Sequence, residues 1–101
     1  MDLPVVSLPA ISDLRSFVRA TLCDFDHMLL DQVTLRQGEI RAGGRTCGLF
    51  FQMNGPQRQR AYAVWAADEH RIIFYNASGT RIAEAKLSES PDAALLDRKA
   101  A

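Results

Sequence analysis

Arg58–Leu87 reads RQRAYAVWAADEHRIIFYNASGTRIAEAKL. The segment falls into three strands, Arg58–Ala67, Arg71–Asn76 and Thr80–Leu87. Asp68-Glu69-His70 and Ala77-Ser78-Gly79 are the turns between them. It holds the single tryptophan and both tyrosines of the chain. The remaining residues read as material that lengthens this sheet or covers one side of it.

Upstream, Arg45–Met53 is a further strand, joined to the next by a turn over Asn54-Gly55-Pro56-Gln57. Val33 and Leu35 alternate with Gln32, Thr34 and Arg36, so Met28–Gln37 reads as a half-buried first strand. Gly38 and Gly43-Gly44 bound a short Glu39–Arg41 piece, giving a hairpin with an irregular middle. Gly43-Gly44-Arg45-Thr46 is like a phosphate loop in composition only. The GxxxxGK[ST] spacing is missing and no helical pattern follows.

The strongest periodic signal lies nearer the N-terminus. Leu14, Phe17, Val18, Thr21, Leu22 and Phe25 recur at helical spacing and predict an amphipathic helix over 12–25. Ser12 is its expected N-cap, and Asp13 sits where the helix dipole favours a carboxylate. Two prolines, Pro4 and Pro9, make residues 1–10 an extended arm. Ser88–Ala101, with Pro91 and scattered charge, reads as a flexible tail or a short helix near 92–97. The expected organisation is therefore an arm over 1–10, one α+β domain over 11–87, and a tail over 88–101. Its fold is one N-terminal helix packed on one face of a four- to five-stranded antiparallel meander sheet.

Composition bounds the function. The chain has 101 residues, 48% of them apolar and 24% charged, which suits one globular domain. Twelve basic and twelve acidic residues cancel, which argues against bulk attraction to nucleic acid or anionic membrane. Charge is nonetheless uneven, because residues 1–35 carry five aspartates against Arg15 and Arg19, and residues 36–86 are net basic. Two cysteines, Cys23 and Cys47, are too few for a disulfide framework. The N-terminus lacks a secretory pattern and no apolar run reaches membrane-spanning length, so a cytoplasmic location is expected.

A register tried on short turns sorts the strands into two faces. Cys47, Leu49, Phe51, Met53, Tyr62, Val64, Ile72, Phe74 and Ile82 form the face expected under the helix. Gly48, Phe50, Gln52, Ala61, Ala63, Trp65, Ile73, Tyr75, Ala83 and Ala85 form the other, with Arg71 and Arg81 at its margins. One helix cannot cover both. The expected interaction face is therefore Phe50, Trp65, Ile73 and Tyr75 with Arg71 and Arg81, since surplus apolar area and Trp, Tyr and Arg anchors mark interfaces.

Three functions follow. The first is a non-enzymatic interaction module, a homodimer or adaptor working through that face. The second is binding of nucleic acid or an acidic ligand through Arg36, Arg45, Arg58, Arg60, Arg71 and Arg81. The third is a reactive or metal-binding site at Cys23 and His27, one helical turn apart, with Asp24, Asp26 and Asp31 near. No carboxylate pair, nucleophile elbow or ligand cluster supports an enzyme, and no cofactor or metal is expected. Trp65–Ile82 resembles one hairpin of a propeller blade, but the pattern occurs once and a propeller needs several. An aromatic antiparallel sheet is similar to RNA-recognition sheets, yet their basic-glycine-aromatic run and second crossover helix are missing.

Overall fold

The structure, a computed structural model, describes residues 2–56 and 60–99, with side chains through Leu96. The elements are β1 (Val6–Ser7), α1 (Ile11–Phe25), β2 (Thr34–Ala42), β3 (Arg45–Asn54), β4 (Tyr62–Ala66), β5 (Arg71–Tyr75), β6 (Arg81–Glu89) and α2 (Ala94–Lys99). They build an α+β fold with one six-stranded sheet in the order β1-β6-β5-β4-β3-β2. All neighbours are antiparallel except β1, which adds to β6 in parallel. The extra strand comes from the arm, whose Leu3 and Leu8 amides donate to the Glu84 and Glu89 carbonyls.

α1 starts a residue before the expected cap. The Asp13 carboxylate reaches back 3.2 Å to accept from the Ala10 amide, which satisfies a donor that the helix leaves orphaned. The helix stops where His27 takes a left-handed conformation, with φ 55°. The Met28 amide then donates to the Cys23 carbonyl at 2.8 Å and the His27 amide to Asp24, the double closure of a Schellman stop. Leu14, Val18 and Leu22 are buried against the sheet, where α1 crosses β3 and β4. Phe17 and Phe25 both meet the edge of Phe74, at 6.3 and 5.9 Å between ring centres.

The expected first strand begins later than its pattern suggests, because Leu30–Gln32 forms a single 3-10 turn. From Thr34 the strand then runs unbroken through Gly38 to Ala42, and the reversal falls on Gly43 and Gly44, both with positive φ. Arg19 holds this junction by donating to the Leu30 and Val33 carbonyls. Arg15 does the same for the Leu35 carbonyl and the Gln37 side chain, each at 2.8 Å. Both arginines of the helix are thus spent on fixing β2.

The sheet register departs from the expected one at two strands. In the β3–β4 pair Leu49 lies opposite Trp65 and Phe51 opposite Ala63. The connection between these strands is an odd number of residues longer than a Gly55-Pro56 hairpin, which turns every β4 side chain over. Across β4–β5 the turn takes in Ala67 as well, with His70 left-handed at φ 50°, so β5 stays on its expected faces. In β6 a bulge leaves Phe74 opposite Ala83 and Tyr75 opposite Arg81. Ile82 is the extra residue, and the rest of β6 is reversed.

The face under the helix therefore reads Phe51-Ala63-Phe74-Ala83 and Leu49-Trp65-Ile72-Ala85 across the strands. The alanines are spacers. They leave room for the Trp65 and Phe74 rings and for the phenylalanines that the helix brings down. Trp65, Phe51, Phe74, Leu49 and Ile72 are all fully buried, and each contributes about 1.5–3 kcal/mol of apolar transfer. Among the described residues no helix is long and apolar enough to cross a membrane.

Candidate functional site

No described element is layered over the other face of the sheet. The strand pairing arranges it in three cross-strand rows. One is Arg36-Gln52-Tyr62-Tyr75-Arg81, the second Gly38-Phe50-Val64-Ile73-Glu84, and the third Ile40-Gly48-Ala66-Arg71-Lys86. Phe50, Tyr62, Val64, Ile73 and Tyr75 are half-buried. Tyr62 and Tyr75 stack at 4.9 Å with 14° between their planes, and Phe50 joins Tyr62 at 5.5 Å. Three rings from three adjacent strands thus form one continuous aromatic ridge.

Trp65 is not on this face. It is fully buried and lies between Leu49 and Ile72, because the longer β3–β4 connection inverts β4. Tyr62 and Val64 take its place outside. Phe50, Ile73 and Tyr75 sit where the sequence puts them, and Arg71 and Arg81 join the same face. The alanine-rich half expected here lies under the helix. The missed signal was in the aromatics themselves. Indole is the larger apolar body, and its burial leaves the Trp65 Nε1 donor without a hydrogen-bond partner among the described residues, whereas Tyr62 stays half-buried on the outer face.

The carboxylates of the face are paired with arginine, and Arg36 and Lys86 leave the face as a whole net basic. Arg71 bridges Glu69 at 2.7 Å and Glu84 at 3.0 Å, and Arg81 also binds Glu84. The hydrogen bond from Arg71 holds the Glu84 carboxyl below the usual carboxylate range, against the opposing effect of desolvation. The same bond raises Arg71. The six arginines proposed for an acidic ligand do not converge. Arg71 and Arg81 share Glu84, Arg60 bonds Asn54, Arg45 lies beside the Gly43-Gly44 turn, and Arg58 lies outside the described residues. Arg36 lines a small notch of about 150 Å³ with Gln37, Gly38, Phe50 and Gln52.

The two cysteines exchange the roles expected for them. Cys23 is buried, at 2% exposure, because Met28–Val33 folds back against the flank of α1 that bears Arg15 and Arg19. Burial raises the Cys23 thiol above the ordinary range, outweighing the lowering by Arg19, so the nucleophilic thiolate is disfavoured. His27 is exposed beyond the helix end and serves as its left-handed stop. Cys47 is half-buried rather than core, and it donates to the Ile40 carbonyl at 3.3 Å. A bulge between Ile40 and Arg41 turns it away from the helix side. Among the described residues no three His, Cys, Asp or Glu side chains gather as a metal site.

No family model, no curated protein and no solved structure matches the chain.

Proposed function

We propose that this chain is a non-enzymatic interaction module that pairs with a second copy of itself through the outer face of the sheet. The observation that carries the reading is the uncovered ridge of Phe50, Tyr62 and Tyr75, with Val64 and Ile73 beside it. A contiguous apolar surface of this kind on a two-layer domain is an interface signature. A two-fold dimer presents the same patch on both sides, so the patch must tolerate its own charges. Here Glu69, Arg71, Glu84 and Arg81 neutralise one another within a single copy. Arg36 and Lys86 stand in the outer rows of the face, away from its Phe50-Val64-Ile73 centre. We place the module in the cytoplasm, where its two unpaired thiols stay reduced.

Light scattering of the eluting protein across the micromolar range tests this. The wild type is expected at twice the chain mass, and Val64→Lys at the chain mass with an unchanged Trp65 emission spectrum. A wild type that stays monomeric at the highest concentration rejects the dimer.

A second reading is favoured by the notch beside Arg36, where a guanidinium, an amide and the Phe50 ring border an open gap. Such a gap suits an acidic ligand with a planar group, a single-stranded nucleic acid among them. A salt titration against labelled single strands decides it. Binding that weakens with salt and with Arg36→Gln supports it, and no binding at low salt removes it.

A further inference from the structure

The side of the molecule opposite the aromatic ridge also carries an open apolar trough. The sheet itself is closed off there, since Ile72, Phe74, Ala83 and Ala85 are all buried. α1 lies over β3 and β4, and the short α2 packs on β3 as well. Beside α1, toward the arm, runs an open groove of about 600 Å³ lined by Leu3, Val6, Phe17, Ala20, Asp24 and Phe25, among others.

The two flanks of α1 carry opposite charge. Arg15 and Arg19 face β2 and are bonded to its backbone and to the 3-10 turn before it. Asp13, Phe17, Ala20 and Asp24 recur at i, i+4, i+7 and i+11, which places them on one stripe, the groove side. Asp13 has a local role, accepting from the Ala10 amide. Asp24 has none. It is exposed, makes no ion pair or side-chain hydrogen bond among the described residues, and sits in the last turn of α1, which holds no basic residue. The helix dipole disfavours a carboxylate there. A residue that opposes its local element is a sign of a demand from outside the fold.

We propose that this groove docks a basic amphipathic helix of a partner protein, its apolar stripe resting on Phe17, Phe25 and Val6 and a Lys or Arg reaching Asp24. Helix-in-groove recognition uses this combination of an apolar trough and charges at the rim. A fatty acid or an anionic lipid surface fits the trough but is repelled by Asp24. The groove lies on the helix layer and the aromatic ridge on the other, so the site does not depend on dimerisation.

The probe is a labelled Leu/Lys peptide of about fifteen residues, the length of α1, with leucines at helical i, i+3, i+4, i+7 spacing. Fluorescence anisotropy is read against the wild type and against the monomeric Val64→Lys variant, so that loss of the dimer and loss of the groove are told apart. Saturable one-to-one binding to both is expected. A permuted peptide of the same composition and a Leu/Glu peptide are expected to bind at least about tenfold more weakly. Asp24→Lys and Ala20→Arg, both at exposed helix positions, are expected to weaken the Leu/Lys peptide about tenfold or more. Asp24→Lys is expected at the same time to raise the melting temperature, since it corrects the dipole, so a folding defect cannot explain the loss. Equal binding of the permuted peptide, indifference to both variants, or binding of phosphatidylserine vesicles in place of the peptide overturns the proposal.

Discussion

Gly48 shows how much one side chain decides in this sheet. A Cβ built on it would lie 2.0 Å from the Trp65 carbonyl oxygen, a backbone atom that cannot step aside. Gly48→Ala therefore forces β3 and β4 apart next to Trp65, the largest fully buried side chain among the described residues. The expected loss is about 1–3 kcal/mol, the range for overpacking, read from urea unfolding followed by Trp65 emission. Gly38 is the opposite case, since a Cβ there meets nothing within 4 Å. Gly38→Val is expected to stabilise by a few tenths to about 1 kcal/mol through strand propensity and a less floppy unfolded chain. His27 resembles neither. Its left-handed conformation strains a residue with a Cβ, so His27→Gly is expected to be neutral or stabilising, whereas a metal or catalytic role would make the histidine indispensable. Two titrations have definite signs. Glu84 has a lowered folded pKa; its contribution is present above the unfolded carboxylate range and lost as pH falls through the folded value. Glu84→Gln is expected to flatten the acid limb of the stability curve. Cys23 has a raised pKa, so stability falls as pH rises past the unfolded thiol range, and Cys23→Ala is expected to flatten that alkaline limb.

At the scale of elements, α1 was legible in the sequence nearly to the residue. Its apolar positions are set by a period internal to the helix, and the stop at Asp26–His27 follows the last of them. The strands were legible as strands but not as faces. A strand carries only a period of two, so one residue gained or lost in a connection reverses every side chain. β3 and β5 kept their expected faces. β4 was reversed by the long connection after Asn54 and β6 by the bulge at Ile82. Neither feature has a local sequence signature as strong as Gly43-Gly44. Alanine misled as well. Ala61, Ala63, Ala83 and Ala85 look like a shallow outer surface, yet all four are buried because large rings from α1 and β4 need small partners. The expected outer face accordingly changed in part. Phe50, Ile73 and Tyr75 are in place, Trp65 belongs to the core, and Tyr62 and Val64 complete the ridge. The helix flank offers a prediction at this same scale. Removing the Arg19 guanidinium frees the Leu30 and Val33 carbonyls, so Arg19→Ala is expected to cost about 1–3 kcal/mol and to speed labelling of Cys23 by thiol reagents as the 28–33 segment opens.

For the whole molecule, the two layers leave two surfaces with different chemistry. The outer sheet face is aromatic and shallow, with its carboxylates paired to arginine, which suits a like surface. The helix layer keeps a trough with an unpaired carboxylate at its rim, which suits a cationic one. An adaptor needs both kinds, one to assemble copies and one to recruit. The central claim is that the ridge of Phe50, Tyr62, Val64, Ile73 and Tyr75 is where two copies meet. Methyl and aromatic NMR spectra recorded through a dilution series test it most directly. The account predicts concentration-dependent shifts for Val64, Ile73, Tyr62 and Tyr75, with Leu14, Val18 and Ile72 unmoved. Spectra that do not change with concentration, or shifts confined to the helix layer, would contradict it.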